Sequence, residues 1–189
     1  IGIVLLSILA GLIFLMGIRG EFVKHLAEKY PEQSFAVSFT KIDPIYGKFY
    51  AKVTCLDDYT PFPITKSFKT KEISDDYLQY KSRNQYNSRI QEVFTGSDIE
   101  SYLKSVTGGG KTLFENGGVY EQINIHLSND IEHISVSKKV LNILKGNNIA
   151  AERVIITWEE DKHVYELRLS LDDYLLPEKE IEAMVQKIK

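Results

Sequence analysis

The first eighteen residues, IGIVLLSILAGLIFLMGI, carry no charge and one hydroxyl, Ser7, before Arg19 ends the run. No other stretch limits the chain's options as strongly. As a helix it would span roughly 27 Å, close to the hydrocarbon thickness of a bilayer. A secretory signal has a shorter apolar run followed by a small-x-small cleavage site, and no Ala-x-Ala follows here. A core helix of a globular domain would show a polar face. Ile1 to Ile18 is therefore expected to be a transmembrane helix in contact with membrane lipid, with residues 1–19 as a segment of their own. The chain opens on Ile1 rather than Met, so the basic flank that sets orientation is expected ahead of it. Short amino-terminal anchors usually leave a large body outside, and a single-pass protein of the cell membrane with an extracytoplasmic body is expected.

About 170 residues follow the run, enough for one large or two small domains. A hydrophobic content of 43% with 26% charged residues argues for a folded body rather than a disordered one. The net charge of -3 offers no general attraction to nucleic acid. Cys55 is the only cysteine, so no intrachain disulfide can form. It closes an alternating stretch and reads as a small buried residue; the alternatives are a reactive thiol or an interchain bridge.

Residues 20–30 place Phe22, Val23, Leu26 and Tyr30 on one helical face, stopped by Pro31, with Gly17 and Gly20 offering a bend after the apolar run. Period-two alternation then predicts three strands over 34–42, 48–56 and 62–70, separated by Asp43-Pro44, Gly47 and Asp57-Asp58. A long helix is expected from an N-cap at Ser74 to Gly96, and a short amphipathic one through Ile99, Tyr102, Leu103 and Val106. Residues 20–106 thus read as a helix, a three-stranded meander and further helices. Residues 107–118 hold five glycines in twelve positions and read as a linker. Residues 119–189 read as a β-α-β-β-α lobe: a strand over 119–127, a helix ending near Leu144, a hairpin around Glu160-Asp161, and a helix from Pro177 burying Ile181, Met184, Val185 and Ile188. The echo between FKTKEISDDYL (68–78) and YELRLSLDDYL (165–175) is explained by duplication or, more simply, by Asp-Asp as capping chemistry used twice.

The chemistry-bearing motifs fall short of complete sites. Gly108-Gly109-Gly110-Lys111-Thr112 suggests a phosphate loop, but Ser105 stands where the first glycine is required and a helix is expected before the loop, so no nucleotide partner is assigned. His126, Asp130 and His133 are close in sequence without a clear third ligand direction, and His25 and His163 are isolated, so no metal is assigned. The pairs Asp57/Asp58, Asp75/Asp76 and Asp172/Asp173 lack the alternating ligands of a calcium loop and read as turn and cap residues. No Gly-x-Ser-x-Gly elbow is present, and no catalytic residue or cofactor is assigned. Lys66, Lys69, Lys71, Lys81, Arg83 and Arg89, interleaved with Phe68, Tyr77, Tyr80 and Tyr86, form a mildly basic stretch. It reads as a solvated face, with an anionic wall polymer or lipid headgroup as the alternative partner and no nucleic acid.

The stretch from AEKYPEQSFAVSF through KTKEISDDYLQY resembles a pattern in small membrane-anchored proteins of Gram-positive bacteria: an anchor, a short helix ending in Lys-Tyr, a curved meander, and a strand leading into Asp-Asp-Tyr-Leu. The order of helix on meander is also similar to cystatin-like or PepSY-like modules. The resemblance covers about the first half, implies location more than activity, and carries no catalytic position across.

The expected fold is α+β, with an amino-terminal membrane helix followed by antiparallel sheets and packed helices in two small lobes. The expected function is a noncatalytic envelope interaction module that binds a protein or peptide partner through a sheet edge or groove. An exported hydrolase or inhibitor-like regulator is the second reading, favoured by a pocket gathering His126, Asp130, His133 or several carboxylates. A structural subunit of a membrane complex is the third, favoured by a sizeable exposed apolar patch.

Overall fold

The computed structural model describes residues 2–189, leaving aside the side chains of residues 2–5 and of Ser7. The fold is α+β and divides into two compact units, Ile1–Lys81 and Ser82–Lys189.

In the first unit, helix α1 (Gly2–Lys29) precedes strands β1 (Phe35–Val37), β2 (Lys41–Asp43), β3 (Lys48–Cys55), β4 (Pro61–Ser67) and β5 (Ile73–Asp75). The strands form one antiparallel sheet in the order β1-β3-β4-β5, and β2 pairs with β3 on the same edge as β1. Alternation along β3 works as the sequence suggested: Phe49, Ala51, Val53 and Cys55 are buried, and the residues between them are not. The stretch 34–42 is split into β1 and β2, and β5 was not anticipated. Helix α2 (Tyr77–Phe94) starts later than Ser74, which lies in β5; the Tyr77 N–H donates to Asp75 Oδ1 at 3.3 Å.

Helix α1 runs through Gly17 and Gly20 without a break. Ile18, Phe22 and Leu26, spaced by four, are buried against the sheet, and Leu15 packs beside them. The end of the apolar run is therefore core of the fold, while Leu6 and Ile8 to Ile13 stay exposed. Among the described residues no helix is long and apolar enough to cross a membrane. Ile1 itself lies outside the described residues.

The second unit contains strands β6 (Leu103–Gly109), β7 (Gln122–Leu127), β8 (Val154–Glu160), β9 (His163–Leu169) and β10 (Gln186–Lys187), with helices α3 (His133–Gly146) and α4 (Glu178–Ala183). The sheet order is β10-β9-β8-β7-β6. The sheet is mixed rather than purely antiparallel, because β7 and β8 are parallel with α3 connecting them. Its core joins Tyr86, Ile90 and Phe94 of α2, Val140, Leu141 and Leu144 of α3, and inward residues of four strands, among them Ile125, Ile156 and Leu167.

Two sequence expectations fail here for identifiable reasons. The short helix through Val106 is a 3-10 turn at Glu100–Tyr102 followed by β6. A register shift between Leu103 and Ser105 puts Leu103 and Val106 three apart in sequence yet both opposite β7, so a bulged strand imitates helical spacing. The carboxy-terminal helix stops at Ala183, because the backbone beyond it pairs with β9 at Tyr165 and Glu166. Ile181 is buried, whereas Met184 and Ile188 are exposed.

The stretch 107–118, read as a linker, lies within the second unit and begins as the end of β6. Its glycines allow close packing. A Cβ on Gly108 would lie 2.7 Å from the Tyr120 ring, and one on Gly110 would lie 2.2 Å from the Tyr86 hydroxyl and 2.5 Å from the Val119 carbonyl. Gly109, by contrast, faces open space. Gly110→Ala is expected to cost about 2 kcal/mol in urea denaturation, and Gly109→Ala to stay within about 0.5 kcal/mol of the parent. Equal, negligible effects would return the segment to the status of a linker.

Candidate functional site

Three places in the structure concentrate chemistry or exposed apolar surface: a polar cluster under α1, an acidic groove beside α3, and the amino-terminal part of α1.

The polar cluster centres on Asp75, whose side chain is fully buried although β5 is an edge strand. Three groups from the end of α1 converge on it. His25 Nε2 lies 3.0 Å and Lys29 Nζ 2.8 Å from Oδ2, and the Tyr30 hydroxyl donates to Oδ1 at 2.8 Å. Burial pushes the Asp75 carboxyl pKa up, but the hydrogen bonds from Lys29, His25 and Tyr30 outweigh it and hold the pKa below the usual carboxylate range. Burial opposes the charge on Lys29, yet Asp75 and Tyr30 raise its pKa above the ordinary lysine value.

A second set lies at the same end of the sheet. The Tyr77 hydroxyl donates to Asp58 Oδ2 at 2.8 Å and sits 3.4 Å from the Cys55 sulfur, and Gln33 Oε1 accepts from the Cys55 thiol at 3.4 Å. Burial, then Cys55 and Asp58, push the Tyr77 pKa far above the ordinary tyrosine value, so the phenol stays protonated. Rings of Tyr30, Phe35 and Phe62 pack on Tyr77. Cys55 is buried, as its place in an alternating strand suggested. The arrangement holds a protonated phenol, an ionised carboxylate and a covered thiol, which makes it a structural clamp rather than a nucleophile with access to substrate.

In the second unit, Asp130, Glu132, His133, Glu159, Glu160 and Asp161 line an open groove of about 390 Å³. It brings together Asp130 and His133, two of the three residues singled out by sequence, and gathers several carboxylates. His126 is directed elsewhere, with Nδ1 3.0 Å from the Thr157 hydroxyl. His133 Nε2 lies 3.1 Å from the Ser128 carbonyl oxygen, and its ring stacks on Trp158 at 4.8 Å. All five carboxylate residues of the groove are exposed. Among the described residues no three His, Cys, Asp or Glu side chains are grouped to hold a metal ion.

The glycine loop is committed to internal contacts. The Gly108 N–H donates to Asn87 Oδ1 at 2.9 Å, and Lys111 Nζ pairs with Glu152 at 2.9 Å. Gln91 Nε2 donates to the Val106 carbonyl at 3.2 Å, so Asn87 and Gln91, one helical turn apart on α2, occupy the outer edge of β6. The basic stretch is divided: Lys66 pairs with Glu21, Lys81 lies over the Tyr77 ring, and Arg89 pairs with Glu92, while Lys69 and Lys71 are exposed on the β4–β5 turn. Of the acidic pairs, Asp57 accepts the Ser34 N–H, Asp58 the Thr60 N–H, and Asp173 closes a capping box with Ser170. Asp75 closes a strand while Asp172 and Asp173 sit in a 3-10 turn, so the two Asp-Asp-Tyr-Leu segments differ in conformation.

The third place is the apolar part of α1. Leu6, Ile8, Leu9, Leu12, Ile13 and Met16 are between 43% and 72% exposed, a contiguous apolar surface on one helix. Contiguous patches of this kind mark interaction or membrane surfaces. The same helix is fixed to the body at several further points: Arg19 Nε donates to the Val37 carbonyl at 3.0 Å, Glu21 pairs with Lys66, and its last turns meet Asp75. Sequence reasoning missed the Asp75 cluster; the visible signal was limited to His25 and Lys29 one turn apart beside Tyr30. No protein family, curated protein or solved structure matches the chain.

Asp75→Asn is expected to cost about 2–3 kcal/mol at neutral pH, less than the roughly 3–5 kcal/mol of a fully buried broken pair, because Lys29 is partly in water. The lowered Asp75 pKa gives stability that is present above the unfolded carboxylate value, about 3.9, and lost as pH falls through the folded value. The raised Lys29 pKa gives stability present below about 10.4 and lost as pH rises through the folded value. The gap between parent and variant in thermal unfolding should therefore be widest from about pH 5 to pH 9 and narrow at both extremes. A gap independent of pH would show that the cluster acts by packing alone.

Proposed function

We propose that this chain is a membrane-anchored, noncatalytic interaction module. The amino-terminal part of α1 enters lipid, and the α+β body is held outside the cytoplasm to engage a protein or envelope partner. The observation that carries this reading is the exposed apolar surface of Leu6, Ile8, Leu9, Leu12 and Ile13 on a helix whose following turns are locked into the body. Water-exposed apolar area on that scale is unfavourable, and transfer to hydrocarbon removes the cost. Gly2 to Ile13 gives about 18 Å of helix, enough to pass one leaflet. The placement of the body outside rests on the usual topology of short amino-terminal anchors. A helix lying along an antiparallel sheet is also the arrangement that the cystatin-like or PepSY-like resemblance implies, and fold alone carries no function across.

The noncatalytic part of the reading is supported by the internal commitments of the polar groups. The Asp75 and Tyr77 clusters bind the fold together, and Lys111 and the Gly108 N–H are engaged within the second unit. With the β6 edge taken by Asn87 and Gln91, the outer strand on the other side of that sheet, β10, is the edge at which an extended peptide would add.

A carboxy-terminally tagged full chain should sediment with membranes, resist extraction by high salt, and lose its tag when intact cells are treated with protease. Recovery in the soluble fraction would overturn the lipid reading. Protection of the tag until cells are broken would overturn the placement outside the cytoplasm.

A further inference from the structure

One end of the first sheet has the composition of a membrane-surface foot. Helix α1 and strand β3 run in the same direction. Phe14 packs on Phe49 near the start of β3, with ring centroids 5.5 Å apart, and Tyr30 packs on Tyr77, which meets Cys55 at the end of β3. The β2–β3 turn therefore continues past Phe49 on the same side to which α1 continues past Phe14. That turn carries Ile45 and Tyr46 at its tip, 88% and 76% exposed. It is braced from below: Tyr46 N–H donates to Asp43 Oδ1 at 3.1 Å, Phe68 N–H donates to the Gly47 carbonyl at 2.8 Å, and the Phe68 ring lies 4.6 Å from that of Phe49. Gly47, at φ +59, supplies the left-handed residue the turn needs. Two bulky apolar side chains on a rigid turn gain nothing by facing water.

The surrounding charge has one dominant sign. Lys48 pairs in register with Ser67, so the β4–β5 turn with Lys69 and Lys71 lies beside the β2–β3 turn. Lys41, Lys69 and Lys71 are exposed, and Lys48 Nζ lies 5.4 Å from the centre of the Tyr46 ring. The acids at this end are Asp43, which accepts the Tyr46 N–H, and Glu72, two against four lysines. The opposite end of the sheet, at the β3–β4 turn, carries Asp57 and Asp58 instead. An aromatic and an aliphatic tip within a lysine collar is what the boundary between headgroups and acyl chains selects.

We propose that the β2–β3 turn is a second membrane contact: Ile45 and Tyr46 dip into the interface beside α1, and Lys41, Lys48, Lys69 and Lys71 rest on anionic lipid headgroups. This rests on the reading of α1 as a lipid anchor and adds to it a surface specificity, since each lysine near an anionic surface favours binding by about fivefold. It also assigns a role to Lys69 and Lys71, the exposed part of the basic stretch in the first unit.

The test uses the full chain in vesicles of phosphatidylcholine with or without phosphatidylglycerol. A fluorophore is attached under native conditions, where Cys55 is buried, to Leu9→Cys, Ile45→Cys or Tyr59→Cys, and quenching by lipid-borne bromine is read. Tyr59 lies on the β3–β4 turn at the opposite end and is 79% exposed. Quenching at 9 and 45 but not at 59, stronger at 45 with phosphatidylglycerol and reduced to the neutral-vesicle level by Lys69→Ser with Lys71→Ser, is the expected result. Quenching at 9 without quenching at 45 would overturn the foot and leave the anchor standing. No quenching at 9 would overturn the anchor, and the foot with it. Equal quenching at 45 and 59 would show that the body lies on the membrane without the proposed orientation.

Discussion

The first unit depends on how α1 is held along its sheet. An apolar helix laid on an antiparallel sheet has little to fix its rotation or its position along its axis, since apolar packing is tolerant of shape. The buried Asp75 removes that freedom. It takes Lys29 and His25 from the last two turns of α1, and Tyr30 just beyond, so a single carboxylate sets both register and rotation. The carboxylate stays ionised in a buried position because hydrogen bonds from Lys29, His25 and Tyr30 outweigh the cost of burial, which makes the contact specific as well as stabilising. Arg19 on the Val37 carbonyl and Glu21 on Lys66 repeat the arrangement two to three turns earlier.

The second unit solves a different problem. Its mixed sheet has a parallel pair at the centre, bridged by α3, and leaves β6 at one edge. That edge is closed from within the unit by amide side chains of α2, which supply the donor and acceptor that a neighbouring strand would have supplied. Tyr86 and Tyr120 fill the space that Gly108 and Gly110 leave open, each at the cost of a fixed backbone position nearby. The result is an edge built from helix side chains and glycines, with little in local composition to advertise it.

The contrast between what was and was not legible follows from the range of the interactions. Strand β3 and the β8–β9 hairpin could be read from alternation, because their burial depends on one face and their turns on adjacent residues. Segment 99–109 could not, because a bulge at Leu103 changes the spacing by one residue and periodicity then favours the wrong element. The glycines at 108 and 110 resemble flexible-chain composition unless the tyrosines packed on them are known. Asp75 is fifty residues from His25, and nothing in the sequence near either one indicates the pairing. For the candidate surfaces the division is the same. The apolar run was visible at once, whereas the sharing of its last turns with a core, and the gathering of Ile45, Tyr46 and the lysines at one end of a sheet, arise only from topology.

The unbroken passage of α1 from exposed apolar surface to clamped core has a mechanical consequence. There is no joint between the two parts: the helix continues through Gly17 and Gly20, and its far end is bolted at Asp75. Whatever grips the first turns of α1 therefore steers the first sheet as a lever. A tilt or a twist applied at Leu9 arrives undiminished at the Asp58–Tyr77 corner, more than 25 Å away along the helix by the rise per residue. Nor can proteolysis close to the body release the first unit intact, since a cut between Ile18 and Pro31 takes away part of its own core.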